Sequence, residues 1–302
     1  MTALSLGEAA AIVTSVLWAL TAIAFTSAAR KIGAWPVNFA RLPLAVMLLS
    51  AGLLIATGSP WPMSAGIHEH VWLGLSGITG LTLGDMFLFT SFTMIGPRRS
   101  LLVMSTAPVV TVISAWILLG EHLGPMALTG IGIISAGVAL ASSAGNDGDE
   151  TCRDHSPATI RRGFAAAFLG AAGQGLGATF AKAGMHVLDP LPATLIRMAW
   201  ATVALVLLTT ITGRLPATLA KLRNRAAWPA LGTGIVIGPV LGVWLSLVAI
   251  KNAEAGVAQA LIGTTPITIL VPSWLAYHDR PRPVAIAGAL VAVLGGVLLF
   301  IR

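Results

Sequence analysis

Charge is scarce in this 302-residue chain, where Asp, Glu, Lys and Arg together supply 10% of the residues. A soluble domain carries about a quarter, so this chain cannot present an ordinary water-facing surface. Cysteine occurs once, at Cys152, which excludes an intramolecular disulfide and a cysteine-based metal cluster and leaves the compartment open. Acidic residues are the rarer sign, 11 against 18 Lys and Arg, for a net charge of +7. In a soluble protein such an excess suggests nucleic acid. Here the basic residues sit at the ends of apolar blocks, without the interleaved basic and aromatic face of a nucleic-acid groove, so nucleic acid is not an expected partner. Clustered metal ligands are also lacking. His68, Glu69 and His70 fall in one short connection with no fourth ligand nearby and read as solvated interfacial residues, so neither metal nor cofactor is expected. The first residues show neither a basic leader nor a small-residue cleavage site, and the first apolar block reads as a retained helix.

What the chain has instead is long apolar runs. Hydrophobic residues reach 56% with a mean hydropathy of +0.87. Blocks such as Ala9 to Ala29, Ser100 to Gly120 and Ala226 to Ile250 contain no Lys, Arg, Asp or Glu. About 20 residues of helix cross a bilayer's hydrocarbon layer. The expected fold is therefore an all-α integral membrane protein whose first partner is the lipid bilayer. Proline, glycine and charge clusters divide the chain into ten transmembrane helices near 6–29, 36–57, 70–95, 99–119, 125–143, 163–186, 191–212, 228–250, 255–277 and 283–301. The one dense run of mixed charge, AGNDGDETCRDHSPATIRR from Ala144 to Arg162, reads as a solvated linker. The expected domains are a first five-helix repeat at 1–145, the charged linker at 146–162 and a second repeat at 163–302. Gly213 to Arg225 is a second basic connection, expected to lie along the membrane surface.

Internal duplication is the strongest organisational signal. An offset of 158 residues superposes Pro108 on Pro266, Gly80 on Gly238, Gly130 on Gly288 and Gly137 on Gly295; earlier in each half an offset of 156 pairs Arg41 with Arg197. Five helices per half is an odd number, so the second half would enter the membrane in the opposite sense, giving inverted repeats with a site between them near the midplane. Basic residues gather in alternate connections, among them Arg30, Lys31, Arg161, Arg162, Arg214, Arg223 and Arg225. By the positive-inside rule this puts the linker in the cytoplasm and both termini opposite.

Candidate functional residues are those a bilayer makes expensive. Asp85 lies mid-span, where an ionised carboxylate costs roughly 2.5–3.5 kcal/mol to insert, so it should face a cavity, carry a proton or pair. Arg41 and Asp85 are expected about 8 and 15 Å from the same membrane face, a gap an arginine side chain closes. The pair reads either as a packing device or as a coupling site for protons or a substrate amine. Arg197 has Val243 where Arg41 has Asp85, so it and Lys182 read as snorkelling anchors or as ligands for a substrate carboxylate. Pro108 and Pro266 are expected inside spans four and nine, as hinges or as tolerated kinks. Glycine rows at Gly74, Gly77, Gly80 and Gly84 and at Gly234, Gly238 and Gly242 suit close helix packing. GQGLG at Gly173 to Gly177 follows no strand and is not a dinucleotide loop. Trp18, Thr21, Thr82, Asp85, Met104, Gln174, Lys182, Trp244 and Gln259 are candidates to line a mixed polar and aromatic cavity for a small molecule.

SLLVMSTAPVVTVISAWILLGEHLGPMALTGIGIISAGVAL at Ser100 to Leu140, with a mid-helix proline followed by Gly-Glu and a glycine-bearing helix, resembles the EamA-type branch of the drug/metabolite transporter superfamily. A weaker copy runs from Ala258 to Leu298 around TTP, with His278 and Asp279 in place of Gly120 and Glu121. The resemblance implies ten helices, alternating access and export of amino acids or related metabolites across a bacterial inner membrane. It also implies cytoplasmic termini, opposite to the charge count, which is retained here. Uptake is the alternative within transport, with protons as a candidate coupling ion and a monomer or homodimer as the assembly. A membrane-embedded lipid-modifying enzyme is the alternative outside it. That enzyme would need clustered acids or a His and acid pair that the sequence does not offer, so no catalytic residue is expected.

Overall fold

The computed structural model describes residues 5–143, 156–268 and 283–301. Every regular element among them is helical: α1 Leu6–Ile32, α2 Ala34–Thr57, α3 Ile67–Ser76, a π segment Gly77–Gly84, α4 Asp85–Met104, α5 Ala107–Leu119, α6 Pro125–Ser143, α7 Pro157–Gly184, α8 Pro190–Ile211, α9 Leu215–Leu222, a 3₁₀ turn Arg225–Ala227, α10 Trp228–Ile235, a second π segment Val236–Gly242, α11 Val243–Asn252, α12 Ala255–Ile262, α13 Thr265–Thr268 and α14 Pro283–Ile301. Among the described residues six helical stretches are long and apolar enough to cross a membrane, and 107–119, 125–141 and 283–298 form shorter apolar helices.

Several boundaries differ from the sequence expectation. The connection expected after residue 95 is helical, and α4 runs through Pro97 to Met104. That proline removes a single N–H, whereas an open turn would strand several backbone groups in an apolar setting. The break falls instead at Ser105–Thr106. Pro108 is accordingly the second residue of α5 rather than a mid-helix residue, a position where the missing N–H has no intrahelical acceptor to lose. Span nine breaks in the same way at Gly263–Thr264, between α12 and α13; Pro266 is the second residue of α13. The span's expected continuation to residue 277, with His278 and Asp279, lies outside the described residues. The start of α7 is at Pro157, because Ser156 caps it by accepting the Thr159 N–H at 3.3 Å. Residues 157–162 of the expected linker are thus helix, and 144–155 lie outside the described residues. His68 and Glu69 belong to the first turn of α3, where the Glu69 carboxylate accepts the Gly66 N–H at 2.8 Å.

Packing interleaves the two halves. The first helix of each lies along the third span of the other: α1 against α10, the second π segment and α11, and α7 against α3, the first π segment and α4. The second helices α2 and α8 pack together, as do the last, α6 and α14. Glycines make these approaches possible. A methyl group on Gly77 would stand 2.2 Å from the Arg197 carbonyl oxygen, and one on Gly238 2.5 Å from Thr21 Cγ2. The faces of α6 and α14 meet antiparallel, Gly137 against Gly288 and Ala292, and Gly295 against Gly130 and Ile134. The irregularities recur too, since both π segments and both helix breaks recur at about the 158-residue offset.

Candidate functional site

A cavity of about 360 Å³ opens where the halves meet. Its wall is drawn from α1, α2, α4 to α7 and the second-half segments from Gly238 to Thr265, so the interleaved packing assembles it. Both helix breaks contribute, through Ser105, Ala107 and Pro108 on one side and Ile262, Gly263 and Thr265 on the other. Such breaks release backbone groups from the helical ladder, and in a membrane that is tolerated where the backbone lines a cavity. Most of the lining is apolar, including Phe25, Leu81, Leu88, Ile134, Val138 and Val243.

The polar end is built around Asp85, the first residue after the π segment. Arg41 of α2 donates from Nη2 to Asp85 Oδ2, and Arg41 Nε donates to Asn38 Oδ1 at 2.6 Å. From α7, Gln174 Nε2 donates to Asp85 Oδ1 at 2.8 Å and to the Gly80 carbonyl at 3.3 Å, so one amide ties the carboxylate to the π segment. The expected Arg41–Asp85 pair is present, and its two side chains retain only 15% and 11% of their exposure.

Arg197 corrects the snorkelling expectation. It is 5% exposed and runs along Gly80, where a methyl group would meet its Nη2 at 3.1 Å. Its buried Nε has no hydrogen-bond partner. Snorkelling fails because α8 packs against α2, α3 and the π segment, which leaves that face no route to an interface. Among the described residues, Arg41 thus pairs with Asp85 directly, while Arg197, its equivalent under the duplication, is buried beside Gly80, whose carbonyl shares the Gln174 amide with Asp85.

Of the expected cavity residues, Trp18, Thr21, Asp85, Met104, Gln174 and Gln259 line it, with Arg41 and Pro108. Thr82, Lys182, Trp244 and Arg197 are not among its lining residues. Thr82 turns away to donate to the Ala201 carbonyl at 3.0 Å, fastening the π segment to α8. The side chain of Pro266 lies outside the described residues. Sequence reasoning missed Phe25, Ser135 and Pro239. Pro239, a proline inside an apolar block, carried the same signal as Pro108. The cluster His68, Glu69 and His70 holds no metal geometry: among the described residues no group of three possible ligands converges, and His70 stacks on Trp61 with ring centroids 6.0 Å apart.

One family model, described as the EamA-like transporter family, matches twice, over residues 5–143 and 161–301. The chain belongs to that family. It is thus a multi-pass membrane protein that transports small molecules. No curated protein matches it. A crystal structure described only as that of a protein superposes with a TM-score of 0.72 over 97% of this chain and 95% of that one, at 17% identity. At that identity the likeness shows the fold alone.

In this EamA-like transporter the Gly-Glu pair of the first repeat has a structural task. Gly120 adopts φ of 65° at the end of α5, a left-handed conformation that a glycine takes without steric cost. The next residue, Glu121, then reaches the start of α12, where its Oε2 accepts the Ala255 N–H at 2.9 Å. Its Oε1 pairs with Lys182 of α7, which also donates to the Ala253 carbonyl. Lys182 therefore joins three elements outside the cavity rather than binding a ligand within it. Glu121→Gln keeps an acceptor for the Ala255 N–H and removes the ion pair. Glu121→Ala removes both, leaves a helix N-terminus uncapped and should cost about 1–3 kcal/mol more in stability. Thermal melting of the two variants in one detergent checks the order.

Proposed function

We propose that this EamA-like chain is a secondary active or facilitative exporter of small metabolites such as amino acids, working by alternating access across a ten-helix inverted repeat. The observation that carries the reading is the cavity itself, assembled at the junction of two interleaved halves and bordered by a helix break from each. The antiparallel pairing of α6 with α14 and the recurrence of breaks and π segments at the duplication offset support inversion of the repeats. In such an architecture the halves rock about a site at their interface, and broken helices supply backbone groups to it. Arg41, Asp85 and Arg197 form the coupling cluster, Pro108 and Pro266 the hinge positions, and Trp18, Thr21, Met104, Gln174 and Gln259 the remaining polar and aromatic wall. Export in this reading runs down the substrate's own gradient or in exchange for protons, with Asp85 as the proton carrier in the latter case.

Proteoliposome flux across a panel of amino acids, nucleosides and cationic drugs, with and without a pH gradient, tests the reading. Movement of a metabolite that is abolished by filling the cavity with Gly263→Trp is the expected result, and no movement of any compound overturns it. An Asp85→Asn variant whose flux keeps its pH dependence removes Asp85 from coupling.

Orientation is part of the proposal. The basic connections put the 146–162 linker on the cytoplasmic side and both termini opposite, in a bacterial inner membrane. Cys152, in the linker and the only cysteine, is a built-in reporter. A membrane-impermeant maleimide should label inside-out vesicles and leave intact spheroplasts unlabelled; the reverse pattern inverts the topology.

A further inference from the structure

We infer that the cavity selects substrates bearing a carboxylate, held by Arg41, and discriminates against organic cations. The inference rests on the cavity being the substrate site and names the charge of what enters it. An acid on a membrane midspan wall would ordinarily suggest an amine ligand. Here both oxygens of the acid are already engaged: Oδ2 of Asp85 accepts from Arg41 and Oδ1 accepts from Gln174. The guanidinium of Arg41 is in the opposite condition. It uses Nε on Asn38 and Nη2 on Asp85, leaving Nη1 without a partner among the described residues while the side chain lines the cavity.

A further group on the wall is unspent: the Gln259 amide, on a residue 8% exposed, makes no side-chain hydrogen bond among the described residues. Among the described residues the buried guanidinium of Arg197, beside the Gly80 that Gln174 links to Asp85, adds a second positive charge to the paired Arg41 and Asp85, so this region carries an uncompensated positive charge in a mostly apolar surrounding. Such a charge is costly unless a ligand anion completes it, and a planar guanidinium matches a carboxylate geometrically. The remaining wall is apolar and fits a hydrocarbon body. A substrate of this class is an amphipathic carboxylate, either a plain organic acid or an amino acid bound through its acid group.

The test uses one hydrocarbon body with three head groups: 4-methylpentanoate, leucine and isopentylamine, each titrated into the purified full chain in nanodiscs. Binding is read by thermal shift and by fluorescence of Trp18, with Trp18→Phe as the control. Both carboxylates should bind at least roughly tenfold more tightly than the amine. Arg41→Gln should abolish that ranking and Arg41→Lys should keep part of it. Asp85→Asn removes the competing counter-ion, so carboxylates should bind more tightly to it and raise its melting temperature more than that of the unmodified protein. Amine binding equal to or tighter than that of the carboxylates overturns the inference. So does weaker carboxylate binding to Asp85→Asn, or no carboxylate response at millimolar concentration. Carboxylate binding without flux of any compound in proteoliposomes upholds this inference and overturns the exporter reading above; cation flux without carboxylate binding overturns this inference and leaves transport through the cavity standing.

Discussion

Asp85→Leu should lower the stability of the folded protein by about 3–5 kcal/mol, the usual cost of deleting one partner from a buried ion pair. The loss comes from what remains. Arg41 lines a mostly apolar wall and Arg197 is 5% exposed, so the variant keeps both positive charges and loses the acid that paired with one of them. Gln174 also loses the acceptor at 2.8 Å that ties α7 to the start of α4. Arg197→Met is expected to do the opposite. It removes a buried guanidinium whose Nε has no partner and leaves Asp85 paired to Arg41, so stability should be unchanged or higher. Melting curves of the two variants, each judged folded by its gel-filtration profile, measure the contrast. Equal destabilisation by both would mean that Arg197 holds the packing together. Stability retained in Arg197→Met with transport lost would mean that this buried charge is kept for function.

Alanine at Gly137 or Gly295 should destabilise by about 1–3 kcal/mol, while alanine at Gly132 or Gly296 should be neutral or stabilising by up to about 1 kcal/mol. All four glycines sit in α6 or α14. A methyl group on Gly137 would lie 2.4 Å from the Ala292 backbone nitrogen, and one on Gly295 2.7 Å from that of Ile134. Neither neighbour is a side chain that can swing away, so the helices must separate. Gly132 and Gly296 face open space, with nothing within 4 Å, and there alanine only improves helix propensity. Because Gly295 and Gly296 are adjacent, expression and lipid effects cancel in the comparison. Unfolding in mixed micelles reads the difference, and equal behaviour of the adjacent pair would show that α6 and α14 do not associate through this face.

The Arg41–Asp85 pair was legible in the sequence because it rests on depth along the helix axis, a quantity that residue counting supplies. Arg197 was misread because depth says nothing about direction. From its position it had a short path to an interface, and the packing of α8 against α2 and the π segment closed that path. Lys182 was misread for a related reason. Its partner, Glu121, is sixty-one positions away in sequence, and the two meet only because α5 packs against α7. Thr82 and Trp244 sit on the spans that line the cavity, and the rotation of those spans turns them off its wall.

By itself the sequence determined what is one-dimensional: the apolar blocks, the proline and glycine positions that interrupt and join them, the duplication, the family and the scarcity of charge that makes Asp85, Arg41 and Arg197 conspicuous. Only the tertiary structure decided which side of each helix meets protein. In a soluble protein the polar face of a helix announces that choice. Here lipid and protein neighbours are almost equally apolar and helices associate through shape and small residues, so no polar stripe marks the inward face. The burial of Arg197 from the second half against Gly80 of the first became visible only when that facing was known.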